Sequence, residues 1–256
     1  MQTLVYDGSF AGWLSAVFDV FYYKFNDVDI CTEKTFNGNV FQQPHIVHTS
    51  GAHSQRVWKG LEKKLSSGAL HQLHQTFLSE GKGIENQMLQ YVQYAFSSPV
   101  SMEEDYSHPA VLMITQTAKK VWRETHRMQA FVRFQKTSDE LYYAIIEPDY
   151  NVLPLIAPHF KNRYADQRWM IYDGRRNYGI SYDLKELSEV ELNFAEQANR
   201  GKNVSSLYEE KEELYQQLWQ QYFKSVNIAA RKNTKLHVQH MPVRYWKYLP
   251  EKMKSW

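Results

Sequence analysis

His126-Arg127-Met128-Gln129-Ala130-Phe131-Val132-Arg133-Phe134 is the stretch on which the fold turns, and three more follow it closely. They are Leu141-Tyr142-Tyr143-Ala144-Ile145-Ile146-Glu147-Pro148-Asp149-Tyr150, Pro158-His159-Phe160-Lys161-Asn162-Arg163-Tyr164 and Arg168-Trp169-Met170-Ile171-Tyr172-Asp173-Gly174-Arg175-Arg176-Asn177-Tyr178. In the first, Met128, Ala130, Val132 and Phe134 alternate with Gln129, Phe131, Arg133 and Gln135, which is the period of a half-buried strand. A turn over 137–140 leads into a second strand, 141–147, which Pro148 ends. Pro154 or Pro158 opens a helix that sets Leu155, His159 and Arg163 in one row and Ile156, Phe160 and Tyr164 in the next. Residues 169–172 and 178–182 predict a second hairpin around Asp173-Gly174, a strong turn signal. Hairpin, helix, hairpin implies an antiparallel sheet over 128–183 with one face covered by helix.

Working outward toward the start, residues 2–6 predict a strand and Asp7-Gly8-Ser9 a turn capping a helix from Phe10. Phe10, Trp13, Leu14, Val17, Phe18, Phe21 and Phe25 recur at helical spacing and are read as a core face. Residues 46–49 predict another strand, whereas 30–45 is ambiguous, with a turn at Asn37-Gly38. From 54 to 126 the pattern is helical: Val57, Leu61 and Leu65, then Leu70, Leu73 and Phe77, then Ile84, Met88, Tyr91, Val92 and Phe96. A longer helix follows from Pro109, with Ser107 as its cap. Toward the end, 185–204 is polar and linker-like. Ser206 with Glu209 forms a capping box that opens a long helix through Trp219 to Val226. The tail from Lys224 carries eight Lys and Arg against the single carboxylate Glu251, with Tyr245, Trp246, Tyr248 and Trp256 interleaved. The expected architecture is a single α+β domain spanning 1–256. Its parts are a strand and helix in 1–50, a helical bundle in 51–127 packed on the antiparallel sheet of 128–183, and a long helix and basic tail in 205–256.

Composition narrows the function classes. The chain has 256 residues, 43% hydrophobic and 23% charged, as in an ordinary soluble protein. Its net charge of +2 creates no global field toward nucleic acid, so any basic footprint is local. The single cysteine, Cys31, rules out an internal disulfide and the usual all-cysteine ligation of an iron–sulfur cluster by this chain alone. No apolar run reaches the roughly 20 residues of a membrane span, and no basic leader precedes an apolar segment, so a cytoplasmic setting without a membrane partner is expected. There is no phosphate-cradling Gly-x-x-x-x-Gly-Lys loop, no Gly-x-Gly-x-x-Gly fingerprint and no Gly-x-Ser-x-Gly elbow. His45, His48 and His53, and the pairs His71/His74 and His237/His240, lack the carboxylate or cysteine pattern that would complete a metal site, so no metal and no cofactor is expected.

The basic-aromatic clusters carry more information. Arginine offers planar paired donors to phosphate, and aromatic rings stack on unpaired bases, which together suit single-stranded or distorted nucleic acid. The same residues have an equally physical alternative, in which the rings are core and the arginines pair with Glu147, Asp149, Asp166 and Asp173.

Four motifs in order then resemble one family along the whole chain. They are Tyr6-Asp7-Gly8-Ser9-Phe10, the run Arg127 to Phe134, His159-Phe160 with Arg163-Tyr164 and Trp169 to Asp173, and Met241-Pro242 with Arg244-Tyr245-Trp246-Lys247 and Leu249-Pro250-Glu251. The chain resembles a bacterial family described as probable DNA metabolism proteins with a domain of unknown function. Its members accompany a radical-SAM protein thought to modify or repair DNA, and some are fused to a uracil-DNA-glycosylase-like module. That resemblance implies a DNA-binding component, for single-stranded or damaged DNA, whose cluster chemistry belongs to the radical-SAM partner. The motif positions expected to touch a polyanion are Arg127, Arg133, His159, Arg163, Arg175, Arg244 and Lys247, with Tyr245 and Trp246 beside them and Arg176 and Arg231 added by proximity. The resemblance supplies no catalytic residue. Two other classes stay open: a hydrolase or glycosylase using Asp149 or Asp173 with His159 as acid or base, and an interaction module that docks the partner protein.

Overall fold

Gln2–Tyr6 (β1) is the centre of a three-stranded parallel sheet in which Val28–Thr32 (β2) lies on one side and His45–Ile46 (β3) on the other. The computed structural model describes residues 1–36, 43–137, 140–191, 238–250 and 252. Helices and two sheets, of three and five strands, make the chain α+β, the expected class. It divides into two compact units, Met1–Trp122 and Arg123–Trp256. Among the described residues no helix is long and apolar enough to cross a membrane.

In the first unit, β1 shows no alternation, because a central parallel strand is covered on both faces. Parallel neighbours need a crossover, and Phe10–Tyr22 (α1) provides it between β1 and β2. The Asp7 carboxylate at the end of β1 accepts the Ser9 N–H and hydroxyl, each at 2.8 Å, and the Thr49 hydroxyl at 2.7 Å. Gly12 is required beneath it, since a Cβ there would stand 2.1 Å from Asp7 Oδ1. Burial alone would raise the Asp7 pKa, but the Ser9 and Thr49 hydrogen bonds outweigh it and hold the group below the usual carboxylate range. Gly51–Glu62 (α2), Ser67–Phe77 (α3) and Ile84–Ser97 (α4) follow. Serine hydroxyls at 9, 50 and 66 cap α1, α2 and α3. Leu4, Trp13, Leu61, Leu73, Met88 and Ile114 belong to one core, so these helices share it with β1 and α1.

The helix Pro109–Phe131 (α5) begins in the first unit and ends in the second. It overturns the strand expected from Met128 to Phe134. Met128 and Val132 are four residues apart and so fit either period, but Val121, Glu124, Thr125, Met128 and Val132 are all buried, which is the stripe of a helix. Ala130, inward on the strand reading, faces solvent. Nothing before Met128 stops the helix: there is no glycine, proline or cap.

The second unit is built on a five-stranded sheet of Gln135–Lys136 (β4), Tyr142–Ile146 (β5), Trp169–Asp173 (β6), Tyr178–Tyr182 (β7) and Leu187–Glu191 (β8), in that order. The second expected hairpin is present as the antiparallel pair β6 with β7, whereas of the first only the short antiparallel pairing of β4 with β5 remains, because its expected first strand is taken up largely by α5. The sheet as a whole is mixed and not the antiparallel sheet expected, because β5 and β6 run parallel, in register from Tyr142↔Trp169 to Ile146↔Asp173. The physical reason is the connection Leu153–Arg163 (α6), which returns the chain to the end of the sheet from which β5 started. β8 falls inside the segment read as a polar linker; its polar residues suit an edge strand, bonded among the described residues to β7 alone. The turn at Asn37-Gly38, the rest of the linker and the long helix expected from Ser206 lie outside the described residues.

Candidate functional site

The parallel junction brings the candidate residues together. Because β5 and β6 point the same way, the segments leaving them, Glu147-Pro148-Asp149 and Gly174-Arg175-Arg176, emerge side by side. The 3-10 helix Val243–Tyr248 supplies the third wall. With three residues per turn, it sets Arg244 and Lys247 one above the other, and Tyr245 and Tyr248 likewise. An open cleft of about 610 Å³ results, lined by Glu147, Asp149, Arg175, Val243, Arg244 and Lys247.

Its floor is Glu124 on α5, only 2% exposed. One Glu124 oxygen accepts the Asp149 backbone N–H at 2.9 Å; the other accepts Arg244 at 2.9 Å and the Tyr245 hydroxyl at 2.5 Å. Arg244 also pairs with Asp149 at 2.8 Å, and Arg175 reaches the other Asp149 oxygen at 3.5 Å. Lys247 pairs with Glu147. Hydrogen bonds from Lys247 and Tyr248 hold the Glu147 carboxyl below its usual range, and its bond raises Lys247 in return. Burial, then the Glu124 carboxylate, pushes the Tyr245 phenol well up; burial, then Glu147, raises Tyr248 to about 12. Asp173 is wholly buried, accepting the backbone N–H groups of Arg175 and Arg176 and pairing with the Arg176 guanidinium at 2.8 Å. Arg176 in turn donates to the carbonyls of Pro148 and Asp149, tying the two loops together.

Each described residue singled out in the sequence has a definite place. Arg175, Arg244, Lys247 and Asp149 line the cleft, and Tyr245 is buried under it. Arg176 and Asp173 form its inner frame. Arg133 folds back to the carbonyls of Ala130 and Val132 at the end of α5, and Arg127 donates to the Gln239 carbonyl at 3.5 Å. The Trp246 indole donates to the Met241 carbonyl. His159 and Arg163 sit on α6 and are not among the lining residues: His159 meets the Phe160 ring edge to face, and Arg163 is exposed beside Tyr164. Arg231 lies outside the described residues. Glu124 was missed, although a carboxylate at a core position of an amphipathic stripe was a legible signal. Among the described residues no group of three or more His, Cys, Asp or Glu side chains is placed to hold a metal ion.

No curated protein and no solved structure matches the chain. A family model described as a domain of unknown function, DUF4130, matches residues 82–251, which include the whole of the cleft. With two thirds of its length matched by that model, the chain belongs to the DUF4130 family.

Proposed function

We propose that this chain is the DNA-binding component of a DNA repair or base-modification system, working with a radical-SAM partner protein that supplies the chemistry. The observation that carries the reading is the convergence of Arg175, Arg244 and Lys247 on one open cleft, with side chains 58%, 43% and 55% exposed. The motif resemblance supplies the radical-SAM partner. Every one of these cations rests on a carboxylate, so a phosphate binds by exchange: it takes the place of Glu147 at Lys247 or of Asp149 at Arg175. Arg175 exchanges most readily, since its 3.5 Å contact is long for an ion pair and it is the most exposed of the three. Arg244 is held by Glu124 from below and serves as a fixed positive wall. Such a site recognises backbone phosphate without reading bases, and it grips with modest affinity.

The hydrolase reading keeps one supporting feature, the half-exposed Asp149 on the cleft wall. Asp173 offers no accessible oxygen, and His159 is not in the cleft lining to act as its acid or base. The test is the double variant Arg175→Ala/Lys247→Ala, with Arg244 left in place to neutralise Glu124. Affinity for single-stranded DNA is expected to fall, and its salt slope to flatten by about 1.4 units for two lost phosphate contacts. Unchanged affinity and slope would overturn the reading, and turnover abolished by Asp149→Asn would replace it with the hydrolase.

A further inference from the structure

A second surface with ligand chemistry lies in the first unit, outside residues 82–251, and it does not rest on the cleft just described. The core reading holds for Trp13, Leu14 and Val17, and Phe10, Phe18 and Phe25 pack half-buried against the same core, but Phe21 stands out from it. His53 of α2 and Phe18 stack with centroids 3.9 Å apart and planes 18° apart, and Phe18 and Tyr22 stack at 5.6 Å and 16°. The outer ring of that column, Tyr22, is 67% exposed, and Phe21 beside it is 44% exposed. Phe96 of α4 meets Phe21 edge to face, and approaches α2 closely where Gly60 has no side chain. These residues enclose a cleft of about 440 Å³ lined by Phe18, Phe21, Tyr22, Arg56, Val57 and Phe96. That falls within the roughly 300–1,000 Å³ of ligand pockets.

Arg56 lines the cleft, and two lysines follow it along α2. Arg56, Lys59 and Lys63 are spaced by three and four along α2 and its cap, so they share a face, and all three are exposed. The Arg56 guanidinium stands 5.7 Å over the Phe18 ring. In contrast to Arg175, Arg244 and Lys247 in the second unit, none of the three pairs with a carboxylate among the described residues. The carboxylates on these two helices are Asp19, bound to His45 at 2.8 Å, and Glu62. An apolar protein partner covering Tyr22 and Phe21 would strand the three cations without counter-charge. A polyanion with flat apolar faces satisfies both halves of the surface.

We propose that the cleft between α1 and α2 binds single-stranded nucleic acid, with Tyr22 and Phe21 stacking on unpaired bases and Arg56, Lys59 and Lys63 following the phosphates. Duplex bases are already stacked on each other, so the site discriminates against paired strands. The experiment is fluorescence anisotropy of the full chain with a labelled oligothymidylate of about 12 nucleotides, a length within the usual single-strand site size. Tyr22→Ala is expected to weaken binding about tenfold at an unchanged melting temperature, and Tyr22→Trp to restore it. Arg56→Ala flattens the salt slope by about 0.7. The Arg175→Ala/Lys247→Ala variant reads the other cleft separately, so the two assignments fail independently. Wild-type affinity in both Tyr22→Ala and Arg56→Ala overturns the proposal, as does absence of oligothymidylate binding or equal affinity for duplex. Normal strand binding by Tyr22→Ala with loss of self-association in light scattering overturns it in favour of a protein interface.

Discussion

Glu124 shows how a single carboxylate fixes the role of several cations. It is buried, and water cannot replace its partners, so Arg244, Tyr245 and the Asp149 N–H satisfy it together. The C-terminal motif Arg244-Tyr245-Trp246-Lys247 is therefore in large part an anchor: Arg244 closes on Glu124, Tyr245 is buried and Lys247 pairs with Glu147. Arg244→Ala leaves Glu124 without its cation. We expect a loss of about 2 kcal/mol in urea unfolding, less than the roughly 3–5 kcal/mol of a fully buried pair because Arg244 is part-solvated. Arg244→Lys retains the charge but not the planar guanidinium, whose Nη2 meets both Glu124 and Asp149, and should recover part of that loss. A neutral result for Arg244→Ala would show that Tyr245 and the Asp149 N–H satisfy Glu124 without a cation.

At the scale of the element, α5 and its junction with β4 test how a chain chooses between two periods. A strand from Met128 would bury Met128, Ala130 and Val132; the helix buries Met128, turns Ala130 outward and leaves Val132 buried just past its end. Ala130→Lys should consequently change unfolding free energy by no more than about 0.5 kcal/mol, as exposed substitutions do. Met128→Ala, at a position 2% exposed, should cost about 2–5 kcal/mol. A large loss for Ala130→Lys in a urea melt would return the segment to the sheet.

Over the whole molecule, the two units carry different titrating groups. Burial, with the nearby His71 charge, holds the His74 pKa below its ordinary value. As pH falls below about 6.5 the unfolded chain takes up that proton before the folded one, so the first unit loses stability there. Glu147 is depressed, so its contribution is present above the ordinary carboxylate pKa of about 4.3 and is lost as pH falls through its lower folded value. Lys247, raised by Glu147, contributes below about 10.5 and loses that contribution as pH rises through its higher folded value. Thermal melts across pH should show His74→Gln flattening the slope just below about pH 6.5, and Glu147→Gln flattening the limb below about pH 4.3. Identical pH profiles for wild type and His74→Gln would mean that His74 is as well solvated when folded as when unfolded.

The sequence by itself determined what local chemistry writes: the strand and serine-capped helix at the start, the helices from 51 to 97, the turn into β5, α6, and the hairpin of β6 with β7. Each depends on residues within a few positions of each other, where spacing, caps and turn residues are visible. It also exposed the arginines, and left open whether they faced phosphate or carboxylate. That choice belonged to the tertiary structure, because the partner that settles Arg244 lies 120 residues away on another helix. Tertiary pairing likewise set β5 parallel to β6, which puts the Glu147, Asp149 and Arg175 loops at one end of the sheet and makes a cleft at all. Packing decided which aromatic residues of α1 are core and which stand open beside cations that have no carboxylate partner among the described residues. A repeat of apolar rings at helical spacing looks the same in either case until a neighbouring helix covers one part of the face and not the other.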